Sequence, residues 1–233
     1  MLPVTLRHHF DFGAERDLVG DDLVRPDAWD ALRTQTSGAF ALPADRRAWE
    51  AAADNPAVRT RAQLLNRWLD EHRIERLASY GVGAAGLELC LHRLAPDRRL
   101  VVTEYAPQTV TRLRRHFEGV DVRTHDLLID PPVEAEIHLF HRIDTEFDNR
   151  QWRDIFTRFA AVAVLLVAAD TLDARALLNE FRTRVTRRTA TRAGWLRNPA
   201  AFRTLWRTTH TATPLRFADL DGWLLTPIAP GRA

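Results

Sequence analysis

The sequence predicts an α/β protein, a three-layer α/β/α sandwich whose central sheet is mostly parallel, closed by an antiparallel C-terminal strand pair and preceded by an N-terminal helical segment. Three features of the chain carry this reading. From Ile74 onward, short apolar runs alternate with stretches of helical periodicity. Upstream, from Pro26 to His72, helix-forming stretches are separated by breakers, notably Ser37-Gly38 and Leu42-Pro43. Beyond about Arg203 the apolar runs are linked through turn-forming dipeptides.

The upstream segment ends in an amphipathic helix over residues 57–70. There Val58, Ala62, Leu65, Trp68 and Leu69 recur at helical spacing and leave the arginines largely on the other face, so the helix packs on the chain downstream of it. Five strands are then predicted, at residues 76–80, 99–103, 120–124, 136–140 and 162–167. Helices fill most of the gaps, at 85–94, 107–117, 150–159 and 172–183. The interval between the third and fourth strands is short and holds Pro131-Pro132, which argues against a full helix there. Segments 205–211 and 223–226, joined through Thr213-Pro214 and Asp221-Gly222, supply the antiparallel pair. The expected organisation is a helical segment or lid over residues 1–73 and a sheet domain over 74–233.

Composition removes several chemistries. All 33 basic residues are arginine, so there is no Schiff-base lysine, no lysine of a Walker-type phosphate loop and no lysine general base. With Cys90 as the single cysteine there is no internal disulfide and no cysteine-based zinc site, which fits a reducing, cytoplasmic setting. The longest apolar run ends at Asp170, far short of the roughly 20 residues that cross a bilayer, so no membrane segment is expected. The first ten residues lack the features of a secretory signal.

The strongest local signal is Gly81-Val-Gly83-Ala-Ala-Gly86, which comes directly after a predicted strand and opens a predicted helix. Glycines in that place let the backbone turn tightly and approach a ligand, while the helix N-terminus offers unpaired N–H groups. Glu104 closes the second predicted strand, where a carboxylate accepts hydrogen bonds from ribose hydroxyls, and Asp126 lies just past the third. In an open α/β sheet these strand ends converge on one crevice.

Over about residues 74–226 this arrangement resembles the class I S-adenosylmethionine-dependent methyltransferases, which have a Rossmann-like sheet. The resemblance implies S-adenosylmethionine as cofactor and methyl transfer to an unidentified acceptor. By it, Gly81, Gly83 and Gly86 hold the methionine and ribose part, Glu104 holds the ribose, Asp126 reaches the adenine amine, and Tyr105 and Leu127 flank the adenine. Two positions depart from the family's pattern: Ser79 stands where an acid is common, and Ala85 where the third glycine usually falls. The same residues also suit a nicotinamide-dinucleotide oxidoreductase, or a non-catalytic binding protein of the same fold.

The end of the fourth predicted strand faces the transferred methyl group in that family. Here it reads from His138 through His141, Asp144 and Glu146 to Asn149, which makes His141, Asp144 and Glu146 candidates for base or orienting roles, with Asp148 or Asn149 capping the next helix. His138 and His141 lie three apart on a strand and point to opposite faces, and the adjacent His8 and His9 diverge, so no metal site is expected. The Asn-Pro-Pro-aromatic motif of many amino-directed nucleic-acid methyltransferases is missing. Between Phe181 and Phe217 there is no acid, while nine arginines (182, 184, 187, 188, 192, 197, 203, 207 and 216) are interleaved with Trp195, Phe202 and Trp206. That stretch suggests a phosphate or nucleic-acid partner, against the plainer reading of a solvated face with the aromatics in the core.

Overall fold

The computed structural model describes residues 1–12, 15, 18, 25–35, 40–186 and 190–229. Among them the chain order is β1 (Thr5–Asp11), α1 (Pro26–Arg33), α2 (Arg46–Ala53), α3 (Pro56–Glu71), β2 (Arg76–Tyr80), α4 (Gly86–Leu94), β3 (Arg99–Glu104), α5 (Pro107–His116), β4 (Asp121–Thr124), β5 (Ile137–His141), α6 (Asn149–Arg158), β6 (Val164–Val167), α7 (Ala174–Thr186), β7 (Ala190–Arg197), α8 (Pro199–Trp206), β8 (His210–Phe217) and β9 (Leu220–Pro227).

Seven strands form one sheet in the order β4-β3-β2-β5-β6-β9-β8, parallel from β4 to β6 and antiparallel through β9 and β8. The strand order reverses between β2 and its neighbours β3 and β5, which opens a crevice beyond the C-terminal ends of these strands. Alternation along the strands feeds two cores. Leu77, Leu139 and Leu165 meet α2, α3, α4 and α5 on one face, whereas Ala78, Tyr80, Phe140 and Leu166 meet α6 and α8 on the other. This is the expected three-layer sandwich.

Local sequence explains the helix starts. Asn55 accepts the Val58 N–H ahead of Pro56, Asp148 and Gln151 form a reciprocal cap for α6, and Asn198 accepts the Ala201 N–H ahead of Pro199. Residues 125–136 carry no helix, as Pro131-Pro132 implies. One C-terminal expectation needs correction. Leu205 and Trp206 belong to α8, and the antiparallel pair is β8 with β9, joined at residues 218–219 instead of through Thr213-Pro214.

The segment before β2 contains a strand as well as helices. β1 pairs antiparallel with β7 in a two-stranded ribbon, with a bulge between His8 and Phe10. The ribbon seats on the loop after β5: the Trp195 N–H donates to the Thr145 carbonyl at 2.8 Å, and a Cβ on Gly194 would fall 2.9 Å from that same oxygen. The breaker Ser37-Gly38 lies outside the described residues.

Candidate active site

The turn after β2 is shaped by its glycines. Gly81 (φ +63°) and Gly83 (φ +57°) take left-handed backbone conformations, and so does Ala85 (φ +55°) just before α4. A left-handed alanine costs on the order of 1 kcal/mol. The backbone therefore keeps a glycine-like conformation at position 85 without the glycine. A Cβ on Gly81 would fall 2.8 Å from Cγ2 of Ile143, and one on Gly83 would collide with the Arg33 guanidinium.

Glu104 closes β3 and is buried. Its Oε2 accepts the Gly83 N–H at 2.9 Å, while Oε1 accepts the N–H groups of Tyr105 at 2.8 Å and Ala106 at 3.3 Å. The loop and the second-strand acid are thus directly joined. Gly81, Tyr105, Asp126 and Leu127 line one slot of about 70 Å³, with His125, Ile143 and Phe147 completing its walls. Nε2 of His125 bonds the Pro131 carbonyl at 2.9 Å, so in the neutral ring Nδ1 is a bare acceptor, and it is buried without a partner. Asp126 spends one oxygen on the Leu128 N–H at 2.8 Å. Gly86 lines a second, larger chamber.

That chamber, of about 590 Å³, meets the slot at Glu146, which lines both. Its walls include Val82, Ala84, Ala85 and Gly86 of the loop, Glu88, His141 and Thr145, and the aromatic residues Phe12, Trp29 and Phe40. Helix α1 is fixed to α5 by Asp30, which accepts the N–H groups of Gln108 at 3.1 Å and Thr109 at 2.9 Å. From it Arg33 reaches over the loop, donating to the Phe40 carbonyl at 2.8 Å with its guanidinium 5.1 Å from the Trp29 ring centre.

Of the three candidates at the end of β5, the structure brings two to the chamber. His141 lines it with Nε2 buried and unpartnered, and burial, with the charges of Arg142 and Arg61, pushes its pKa down to about 3, so the ring is neutral. Glu146 is pushed up to about 8 by burial and by the charge of Glu104, against the pull of Arg33. Asp144 lies behind the wall. It is buried, its Oδ1 accepts the Ala169 N–H at 2.5 Å to tie the ends of β5 and β6, and burial pushes it up to about 7. His138 is on the opposite face of β5, bonded through Nδ1 to the Tyr80 hydroxyl at 3.0 Å.

These shifts give a pH dependence with a defined sign. Glu146, Asp144 and Glu88 have pKa values raised on folding, to about 8, 7 and 7, so the stability they support is full below the ordinary carboxylate range and is lost as pH rises through those values. His141 and His138, depressed to about 3 and 4, work oppositely: their contribution is present above the ordinary imidazole value and lost as pH falls through the folded ones. The melting temperature of the ligand-free protein is therefore expected to fall from about pH 6.5 to about pH 8.5. Glu146→Gln, which cannot ionise, is expected to flatten that alkaline limb in a calorimetric pH series.

Sequence reading missed three participants. Glu88, in the first turn of α4, accepts a 2.6 Å hydrogen bond from Ser79 Oγ, so an acid does reach the strand end where Ser79 replaces one; its signal was a lone acid within Leu87-Glu-Leu-Cys-Leu91. Arg33 left no local signal. The third is the His8-His9 pair, whose expected divergence is corrected by the bulge in β1: both Nδ1 atoms reach the buried Glu180, His8 at 3.0 Å and His9 at 2.5 Å. Among the described residues, no group of three or more His, Cys, Asp or Glu side chains is arranged to hold a metal.

Among the described residues the arginines of the stretch do not form one surface, and the suggested nucleic-acid partner is not supported. Arg197 is fully buried, Arg184 binds Glu180, and the exposed ones are divided between α7 (Arg182), the end of α8 (Arg203 and its C-cap Arg207) and β8 (Arg216). Phe202 and Trp206 lie in the core, and Trp195 stacks under Arg7 at 4.5 Å, leaving no aromatic platform for bases. Arg187, Arg188 and the side chain of Arg192 lie outside the described residues.

No protein-family profile matches the chain, and no curated protein matches its sequence. Solved structures do match its fold. Human N-acetylserotonin methyltransferase in complex with SAM superposes with a TM-score of 0.59 at 18% identity, over 78% of this chain and 55% of that one. PigF with SAH gives 0.61 at 14% identity, over 88% and 60%. A pericyclic reaction enzyme gives 0.51 at 13% identity, over 66% and 42%. The chain thus has the Rossmann-like fold of class I methyltransferases, and it spans little over half the length of the human enzyme it matches. Among the described residues, no helix is long and apolar enough to cross a membrane.

Proposed function

We propose that the protein is an S-adenosylmethionine-dependent methyltransferase whose adenosine end lies in the slot and whose reacting end opens into the chamber. The observation that carries the reading is the convergence of Gly81, Tyr105, Asp126 and Leu127 on one slot beside Glu104, which reaches the glycine loop directly. The donor set fits the cofactor. Apolar Leu127, Ile143 and Phe147 suit the faces of a purine, and the bare acceptor on His125 with the carboxylate of Asp126 suits an exocyclic amine. Glu104 suits ribose hydroxyls, and Glu88, on the chamber wall beside Gly86, suits an ammonium. The cofactor, when bound, supplies an electrophilic methyl group on a sulfonium.

The chain's own contribution is then orientation and proton handling. Phe12, Trp29 and Phe40 give the chamber an apolar wall from which a bound acceptor would displace water. His141 and Glu146 orient the acceptor, and Asp144 holds the β5 end in place through Ala169. The antiparallel β8–β9 pair speaks for this reading over a dinucleotide oxidoreductase, whose sheet runs parallel in the order 3-2-1-4-5-6. The single, buried Cys90 is in keeping with a reducing, cytoplasmic setting.

Calorimetric titration with S-adenosylhomocysteine (SAH), NAD and NADP tests the proposal. Binding of SAH alone is expected; binding of a dinucleotide alone overturns it. Arg33 packs directly over Gly83 of the loop, and in this reading it swings aside to admit the cofactor. Arg33→Ala is expected to speed SAH association about fivefold, the equivalent of contacts worth about 1 kcal/mol, as followed by stopped-flow tryptophan fluorescence.

A further inference from the structure

We propose that His8, braced by Glu180, is the group that takes the proton from the methyl acceptor, so that the base comes from the N-terminal ribbon and not from the end of β5. The proposal rests on the methyltransferase reading above. Five residues with a base's chemistry line the chamber, His8, Glu88, His141, Glu146 and Asp170; Glu88 is bound by the Ser79 hydroxyl beside the glycine loop, and the others differ in what stands behind them. His141 faces Arg142 and Arg61, whose charges oppose a second proton on its ring. Glu146 has Glu104 nearby and holds its own proton to about pH 8. Behind His8 stands a buried carboxylate: Oε2 of Glu180 lies 3.0 Å from Nδ1, with only 2% of the Glu180 side chain exposed. Burial alone would raise Glu180, but the bonds from His9, His8 and Arg184 hold its carboxyl below the ordinary range, so it meets His8 as an anion.

With Nδ1 committed to Glu180, Nε2 is the ring nitrogen left to act, and it has no hydrogen bond among the described residues. A carboxylate behind Nδ1 fixes that tautomer and stabilises the imidazolium formed on proton uptake. The ribbon brings His8 to the reacting end. His8 pairs with Gly194, and Gly194 abuts the carbonyl of Thr145, the residue before Glu146. A second acid near His8 is Asp170, also on the chamber wall, while Arg184 shares the Glu180 carboxylate. In the step inferred, the acceptor's hydroxyl proton passes to Nε2 of His8, the oxygen's freed pair forms the bond to the methyl carbon, and the carbon–sulfur bond breaks with its pair left on sulfur. The positive charge moves from the sulfonium to the imidazolium facing Glu180.

The chamber's aromatic wall, with the unpartnered indole N–H of Trp29, suggests a phenol as probe. The full chain saturated with SAH is mixed with 4-nitrophenol below the probe's own ionisation midpoint, and the yellow anion is followed. The wild type is expected to raise the anion signal on binding. His8→Gln is expected to keep SAH affinity and to quench tryptophan on binding the probe, yet to leave it neutral; Glu180→Gln is expected to lose most of the signal. In methyl transfer to ring-substituted phenols, His8→Gln is expected to lose roughly hundredfold or more with weakly acidic phenols and far less with those already ionised, the signature of a lost general base. An equal anion signal in His8→Gln, or an equal loss across the phenols, overturns the assignment. If the wild type binds SAH but neither ionises nor methylates the probes, the base assignment fails alone. If it does not bind SAH, the methyltransferase reading itself fails.

Discussion

Replacing Glu104 with alanine is expected to weaken SAH binding by about 1.5–3 kcal/mol, roughly a 10- to 150-fold rise in Kd, because charge-assisted hydrogen bonds to ribose carry that magnitude. The structure adds a second, ligand-independent effect. The carboxylate accepts the N–H groups of Gly83, Tyr105 and Ala106, so alanine leaves buried donors unmet and loosens the glycine loop. Two measurements separate the effects. Thermal unfolding without ligand reads the loop contribution. A comparison of SAH with its 2′-deoxy and 3′-deoxy analogues reads the ribose contact: the wild type loses affinity with each missing hydroxyl, whereas Glu104→Ala is expected to lose no more, the signature of a coupled pair in a thermodynamic cycle. An unchanged SAH affinity removes Glu104 from the cofactor site. Glutamine is a poor control, because its amide would set a donor against one of these N–H groups.

The difference between what sequence revealed and what it hid tracks the range of the interactions involved. β2, β5 and β6 are nearly buried throughout, so they read as continuous apolar runs, and their register is set by alternation onto the two cores. Leu205 and Trp206 misled because a short apolar run reads equally as strand or helix; the deciding signal was Asn198-Pro199, a cap with proline next to it at the first helical position. β1 was illegible because its partner β7 lies nearly the whole chain away and its bulge has no local signature. The same division runs through the site. The glycine loop, Glu104 and Asp126 sit at strand ends, where topology alone gathers them. Arg33 and His8 arrive by the docking of α1 and of the β1–β7 ribbon, and Glu180 from α7, contacts that no window of sequence contains.

Arg197→Met is expected to destabilise the protein by on the order of 3–5 kcal/mol, the largest loss among the described arginine side chains of the 182–216 stretch. The side chain is fully buried and holds the loop after β5 by three bonds: Nε to Asn149 Oδ1 at 2.7 Å, Nη1 to the Asp144 carbonyl at 2.6 Å, and Nη2 to the Phe147 carbonyl. Methionine fills much of the volume but strips Asn149 Oδ1 and the Phe147 carbonyl of this donor, at about 1–3 kcal/mol each before relaxation, and leaves the Asp144 carbonyl with the Trp152 indole N–H alone, at 3.2 Å. Lysine keeps the charge but cannot span three acceptors with one ammonium, so Arg197→Lys is expected to fall between. Arg203, exposed on α8, is the control: its alanine variant is expected to change stability by less than about 0.5 kcal/mol. Urea unfolding is the measurement, with a lowered midpoint at unchanged slope the expected form. Similar small losses at both positions would sink the account of Arg197 as a clamp. The pH series adds a further test. The guanidinium holds down the pKa of buried Asp144, so without it the carboxyl is raised further, and the stability of Arg197→Met is expected to fall more steeply than that of the wild type as pH rises above about 7.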